Sequence, residues 1–239
     1  MGPLRYSVPG SIMPAAPPRF ASVAVFSYFA VKQKYQPMFK KIANRLNDVT
    51  RIHHRAAFSG VQKRTPGTVP AFQKLAHERY SCRDFTDAPV SDEDINLILE
   101  AGRQAPTAVN NQPVHVWVVK DAALRERLKE ATQYTFDAPV IFIVAGKEAD
   151  AWVRKYDGKN AADVDAAIVG THIMLQVADL GLGTTWVGSF DPAKLCEIIP
   201  DIPANGYSPV VLFPVGHIYG GPSPRHGQRK SMEEFTTVL

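Results

Sequence analysis

Between residues 70 and 239 the apolar positions recur with two alternating periods. "FQKLAHERY" sets Phe72, Leu75 and Ala76 at helical spacing. Ser91, with Asp94 three residues on, has the form of a capping box, and "INLILEAG" continues it as a helical stripe. Gly102 sits at the end of that stripe and Pro106 stops it. "VHVWVV", residues 114–119, alternates and is β-branched, which predicts a strand. "AALRERLKEA" predicts a polar amphipathic helix, and "PVIFIVAG" a strand buried on both faces.

The longest helix is expected over 161–180. Its apolar face is expected to be Val164, Ala167, Ile168, Thr171, Met174, Leu175 and Ala178, with Gly181 as its stop. "TTWVGSF" predicts another strand, "PAKLCEII" a short helix with Pro192 at its first position, and "YSPVVLFPVG" a last long strand. Helices and strands alternate, so the expected class is a mixed layer structure with helices flanking one sheet.

Residues 1–69 do not share this regularity. "MGPLRYSVPGSIMPAAPPRF" is broken by prolines, and the apolar run "FASVAVFSYFAV" is too short to span a bilayer. The segment holds eleven Lys or Arg and a single acid, Asp48, whereas the remaining residues hold sixteen Lys or Arg against twenty-two acids. That split predicts two separate objects: a basic extension over 1–69 and a folded domain over 70–239. The extension reads as unstructured, as an organelle transit peptide, or as the product of a start placed too far upstream of Met38. Two cysteines are too few for a disulfide framework and fit a reducing, cytoplasmic setting, or an organelle if the extension is a transit peptide.

Several familiar sites are excluded. "GLGTTW" lacks a third glycine and follows a helix, so it is a helix stop turning into a strand and not a dinucleotide fingerprint. "VGSFD" lacks the nucleophile elbow, no phosphate-binding GxxxxGK[ST] occurs, and the scattered histidines give no metal spacing. Neither a nucleic-acid arm nor a membrane span is supported. Three segments remain with a common theme: "RYSCRDF" from Arg79, the polar loop "APTAVNNQP" over 105–113, and the basic "RHGQRKSMEEF" near the C-terminus. Arginines bind phosphate with several charge-assisted bonds, so the first and third can wall an anion site.

Taken as an ordered set, R-x-S-x-R-x-F, A-P-[ST]-x-x-N-x-Q-P, G-L-G-T-x-W-x-G-x-F-D and R-x-x-x-E-E resemble the FMN-dependent nitroreductase family over about residues 71–239. The resemblance implies an α+β fold, a three-layer α-β-α sandwich on a mostly antiparallel sheet, assembled as a homodimer with FMN at the interface. It implies that Arg79 and Ser81 hold the phosphate with Arg229, that Tyr80 also binds the cofactor, and that Arg83 reaches the flavin's pyrimidine edge. Pro106, Thr107, Ala108 and Asn110 would complete the partner's flavin site, with Gly188 and Ser189 near the ring and Gln133 at its polar edge.

The implied activity is electron transfer from NAD(P)H to nitroaromatic, quinone or similar small acceptors by a ping-pong mechanism. FMN carries the chemistry, with no catalytic side chain and no metal. A reductive dehalogenase, a flavin-processing enzyme and a non-catalytic flavin-binding protein are the alternatives. The chain departs from the pattern at Val114, where the family has Trp, and at Gly227, where it has Lys; Arg225 stands nearby as a substitute. Small residues of the long helix, Ala166, Ala167 and Gly170, are expected to pack on a second copy.

Overall fold

The strand from Val140 to Gly146 (β2) is apolar at every position because both of its faces are covered. In the computed structural model, which describes residues 67–239, it lies inside a four-stranded sheet. The expectations for 1–66 fall outside the described residues. The elements run α1 (Ala71–Glu78), α2 (Asp92–Arg103), β1 (Val114–Val119), α3 (Ala122–Leu128), β2, α4 (Ala162–Asp179), β3 (Leu182–Thr184), α5 (Pro192–Ile198), α6 (Asp201–Ala204), β4 (Ser208–His217) and α7 (Met232–Phe235). Spatial order is β1-β2-β4-β3, and every neighbouring pair is antiparallel.

The period of two along β2 and β4 divides the core. Val140, Phe142 and Val144 pack with Val211, Phe213 and Val215 against Ile95 and Ile98 of α2 and Val169, Ile173 and Val177 of α4. Ile141, Ile143, Ala145 and Leu212 face the other way, onto Leu128, Leu195, Ile198 and Ile202 of α3, α5 and α6. Two helical layers thus sandwich one antiparallel sheet, the α+β architecture that the resemblance implied. No helix among the described residues is long and apolar enough to cross a membrane.

Caps fix the helix starts. Ser91 Oγ accepts the Asp94 N–H at 3.0 Å, as the pattern predicts, but the Asp94 carboxylate accepts a hydrogen bond from the Ser91 hydroxyl rather than from the Ser91 backbone N–H. A complete capping box stands instead at Ser231 and Glu234, opening α7. Asp191 Oδ1 accepts the N–H groups of Ala193 and Lys194, with Pro192 in the first turn of α5.

Two expectations need correction. α4 buries Ala162, Asp165, Ala166, Val169, Gly170, Ile173 and Val177. The face expected to be apolar turns partly outward, with Val164 46% exposed. This helix is apolar nearly all round, so periodicity cannot say which stripe meets the sheet. Ala166 and Gly170 therefore pack inward, and a Cβ on Gly170 would come within 3.1 Å of the Phe213 ring. The strand expected over 184–190 is the second correction. Pairing ends at Thr184, the Trp186 ring packs edge-on to Phe213 at 5.2 Å, and the chain rejoins the sheet only where Val187 pairs with Leu212.

Candidate functional site

α1 ends where Arg79 turns extended (φ −58°, ψ 129°), and the next residues run as a strip along the sheet edge. Cys82 N–H donates to Thr184 O at 3.0 Å, and Thr86 N–H donates to His217 O at 2.9 Å. Ser81 forms a parallel bridge with Thr184, and Phe85 pairs with Ile218. Side chains of an extended strip alternate, so Cys82 is buried while Ser81 and Arg83 point the other way. Burial pushes the Cys82 thiol up, and its Sγ donates to Asp84 O, so its part is packing.

The C-terminal segment is fastened onto this strip. Tyr80 Oη donates to Gly220 O at 2.6 Å, its ring stands edge-on to His226 at 6.1 Å, and His226 Nε2 lies 3.1 Å from His77 O. Burial foremost holds the Tyr80 hydroxyl above its ordinary value, so it stays a donor. These contacts bring Ser223, Arg225, His226 and Arg229 around Arg79, Tyr80, Ser81 and Arg83, enclosing a cavity of about 310 Å³.

Its electrostatics are one-sided. Arg79 is held below its ordinary guanidinium value, first by burial and then by the charge of Arg229. Arg229 Nη1 donates to the carbonyls of His226 and Gln228 at 2.5 and 2.7 Å, which aims its fork. Among the described residues no carboxylate pairs with Arg79, Arg83, Arg225 or Arg229; the arginines in ion pairs are Arg103 and Arg154. Cations gathered without a counter-charge suit a dianionic ligand group.

A second cavity of about 190 Å³ is lined by Arg83, Tyr134, Phe136, Thr185, Trp186, Val187, Gly188 and Ser189. Thr132 Oγ1 donates to Ser189 O at 2.7 Å, and Asp191 N–H donates to Ala131 O at 2.8 Å, which ties the two walls together. Phe136 and Asp137 both have φ 51°, a left-handed kink that shapes the loop carrying both aromatic rings. Arg83 lines both cavities. An anion pocket thus adjoins an aromatic slot with one guanidinium between them, which suits a molecule with a flat ring at one end and a phosphate at the other.

The polar loop lies elsewhere. Thr107 and Gln112 line a third cavity of about 300 Å³ with Leu99, Gly102, Val114 and Val169 among its other walls, and none of Pro106, Thr107, Ala108 or Asn110 lines the first two. Val109, Asn110 and Gln112 all have positive φ (47°, 60° and 53°), and Val109 is 69% exposed. Gln133 is exposed and lines none of the three cavities, although its neighbour Tyr134 does. The sequence reading brought together Arg79, Tyr80, Ser81, Arg83 and Arg229, with Gly188 and Ser189 next to them. It missed Tyr134, Phe136, Thr185, Trp186 and His226. Two aromatics spaced by two in a segment between helix and strand were the available signal. Among the described residues no group of three or more His, Cys, Asp or Glu side chains is placed to hold a metal ion.

The family model described as the nitroreductase family matches residues 76–135 and 131–217. The chain is 26% identical over 180 residues to a Bacillus subtilis protein named FMN reductase [NAD(P)H], covering 67% of this chain and 70% of that one. A crystal structure of a nitroreductase family protein from Clostridium difficile 630 superposes with a TM-score of 0.64 at 33% identity, over 69% of this chain and 95% of that one. A Desulfovibrio desulfuricans protein solved in complex with FMN superposes with a TM-score of 0.61 at 26% identity, over 72% and 98%.

Proposed function

The chain belongs to the nitroreductase family, and from that premise we propose that it is an FMN-dependent oxidoreductase passing electrons from NAD(P)H to small nitroaromatic, quinone or similar acceptors. The observation that carries this reading is the pair of adjoining cavities with Arg83 common to both. Arg79, Ser81 and Arg229 take the phosphate, with Arg225 beside them in the same cavity. Arg83 faces the pyrimidine edge of the ring, where its fixed charge stabilises negative charge gathered there. Gly188 and Ser189 offer backbone at the ring, and Tyr134, Phe136 and Trp186 give an apolar wall.

FMN, when bound, supplies the relay between the two-electron donor and the acceptor. The residues around it bind, orient and exclude water. The aromatic cavity, about 190 Å³, is smaller than typical ligand pockets of roughly 300 Å³ and above. That size fits the flavin ring alone, so donor and acceptor would meet the same outer face of the ring in turn, in ping-pong order. The loop bearing Pro106, Thr107, Ala108 and Asn110 stands away from its own chain's two cavities, and α4 presents Val164 outward; both features support a homodimer in which that loop completes the partner's site. Both cysteines are free, which suits a reducing cytoplasm.

The purified protein is expected to be yellow, to release FMN and not FAD on denaturation, and to oxidise NAD(P)H with parallel double-reciprocal lines when a quinone or nitroaromatic is varied. Recovery of FAD alone, or no flavin even after reconstitution, would sink the proposal. The catalytic unit is residues 70–239. Since the described lining residues of the two cavities lie between Arg79 and Arg229, deleting residues 1–65 is expected to leave flavin content and turnover intact. Loss of flavin from the truncated protein would show that the catalytic unit begins earlier.

A further inference from the structure

Among the described residues Asp165 is the buried carboxylate: it is 1% exposed, and it stands in the first turn of α4. Its Oδ1 accepts the Ala108 N–H at 2.9 Å across 57 residues of chain, while Oδ2 has no hydrogen-bond partner among the described residues. One role open to it is local, since a negative side chain in the first turn favours the helix dipole. That role would be filled as well by an exposed carboxylate such as Asp163 of the same turn. It does not explain why a carboxyl group is buried, at a cost in desolvation, with one partner among the described residues that comes from a distant loop.

The loop it holds supplies the explanation. Ala108 opens a short turn in which Val109 and Asn110 are left-handed, followed by Gln112 in the same region. Val109 is β-branched, so this conformation is strained, and such residues persist only where the surroundings over-determine them. The end of the loop is held where Lys147 N–H donates to Pro113 O at 2.8 Å, but the ties of its left-handed part are slighter. Gln112 N–H donates to Thr107 Oγ1 within the loop itself, and Asn111 Nδ2 reaches Asp150 O at 3.2 Å on the exposed side. The bond to Asp165 fastens the loop to the helical layer behind the sheet.

We propose that Asp165 is a positioning residue: its carboxylate clamps the Ala108 N–H and so presents Thr107 and Asn110 in the one backbone shape that serves the cofactor site. The clamp itself is independent of the proposed function, and its consequence for FMN rests on that reading. Asp165→Asn keeps an acceptor of the same shape and removes the charge, whereas Asp165→Ala removes both.

The test uses the full chain. Amide exchange over residues 107–112 is measured on flavin-free wild type and on both variants, and FMN affinity is then titrated. Asp165→Ala is expected to exchange roughly ten-fold or more faster in the loop and to bind FMN roughly ten-fold more weakly. Asp165→Asn should stay within about three-fold of wild type in both readouts, with α4 equally protected in all three proteins. If Asp165→Asn fails as badly as Asp165→Ala, the charge on the helix end is what matters and the clamp is overturned. Unchanged loop exchange in Asp165→Ala overturns it too. A loosened loop with undiminished FMN affinity overturns the positioning role while leaving FMN binding intact. Wild-type protein that takes up no FMN refutes the proposed function, and the positioning role with it.

Discussion

Replacing both Arg79 and Arg229 by alanine is expected to abolish tight FMN binding while leaving the flavin-free protein as stable as the wild type, or slightly more so. A lost charge-assisted hydrogen bond costs about 1.5–3 kcal/mol, or roughly ten- to a hundred-fold in affinity for each arginine. Both would serve one phosphate, so their effects couple and the double variant need not equal the sum of the singles. The sign for the flavin-free protein follows from the electrostatics. Burial first, and the Arg229 charge second, hold Arg79 below its ordinary value, so the two guanidinium groups oppose each other until an anion joins them. Removing them relieves that opposition and breaks no ion pair, while the loss of the exposed Arg229 bonds to the His226 and Gln228 carbonyls offsets part of the gain. Thermal melts with and without added FMN read both halves, because a ligand that binds the folded state raises stability with the logarithm of its concentration over Kd. The wild type should gain in Tm on adding FMN and the double variant should not. A double variant with wild-type affinity would remove these residues from the phosphate site.

The architecture was legible where pattern and burial coincide. β2 is apolar at seven consecutive positions and β4 nearly so, and only a strand covered on both faces satisfies that. Arg79, Ser81 and Arg83 are spaced by two, as an extended strip requires, but the helical spacing of "FQKLAHERY" pointed to a helix through Tyr80, whereas the helix stops at Glu78. Three features were not legible, each for a physical reason. The stripe of α4 that meets the sheet is ambiguous because the helix is apolar nearly all round. The aromatic slot depends on left-handed backbone at Phe136 and Asp137, residue types that do not announce it. The polar loop carries recognisable residues, but neither the arginine cavity nor the aromatic slot of its own chain contains them, so one sequence cannot say what they face.

Gly183 ties the fold to the site most directly, and Gly183→Ala is expected to damage both. Glycine inside a strand weakens it unless another backbone must come close. Here the neighbour is the arginine strip: a Cβ at 183 would lie 2.7 Å from Cys82 Sγ, 2.9 Å from Cys82 Cβ and 3.0 Å from Ile218 Cγ1. The Cys82 Cβ cannot swing aside, because the Cys82 N–H is bonded to Thr184 O. The strip itself would have to lift, carrying Ser81 and Arg83 with it. Overpacking of this kind costs about 1–3 kcal/mol. For a chain of this size each kcal/mol is worth roughly 2–4 °C in Tm. FMN affinity should fall alongside, because the two displaced side chains line its cavities. Gly221→Ala is the matched control: a Cβ there meets nothing within 4 Å, so neither stability nor affinity should change. Equal melting and equal FMN affinity for Gly183→Ala and Gly221→Ala would show that close packing of the strip on β3 does not set the site.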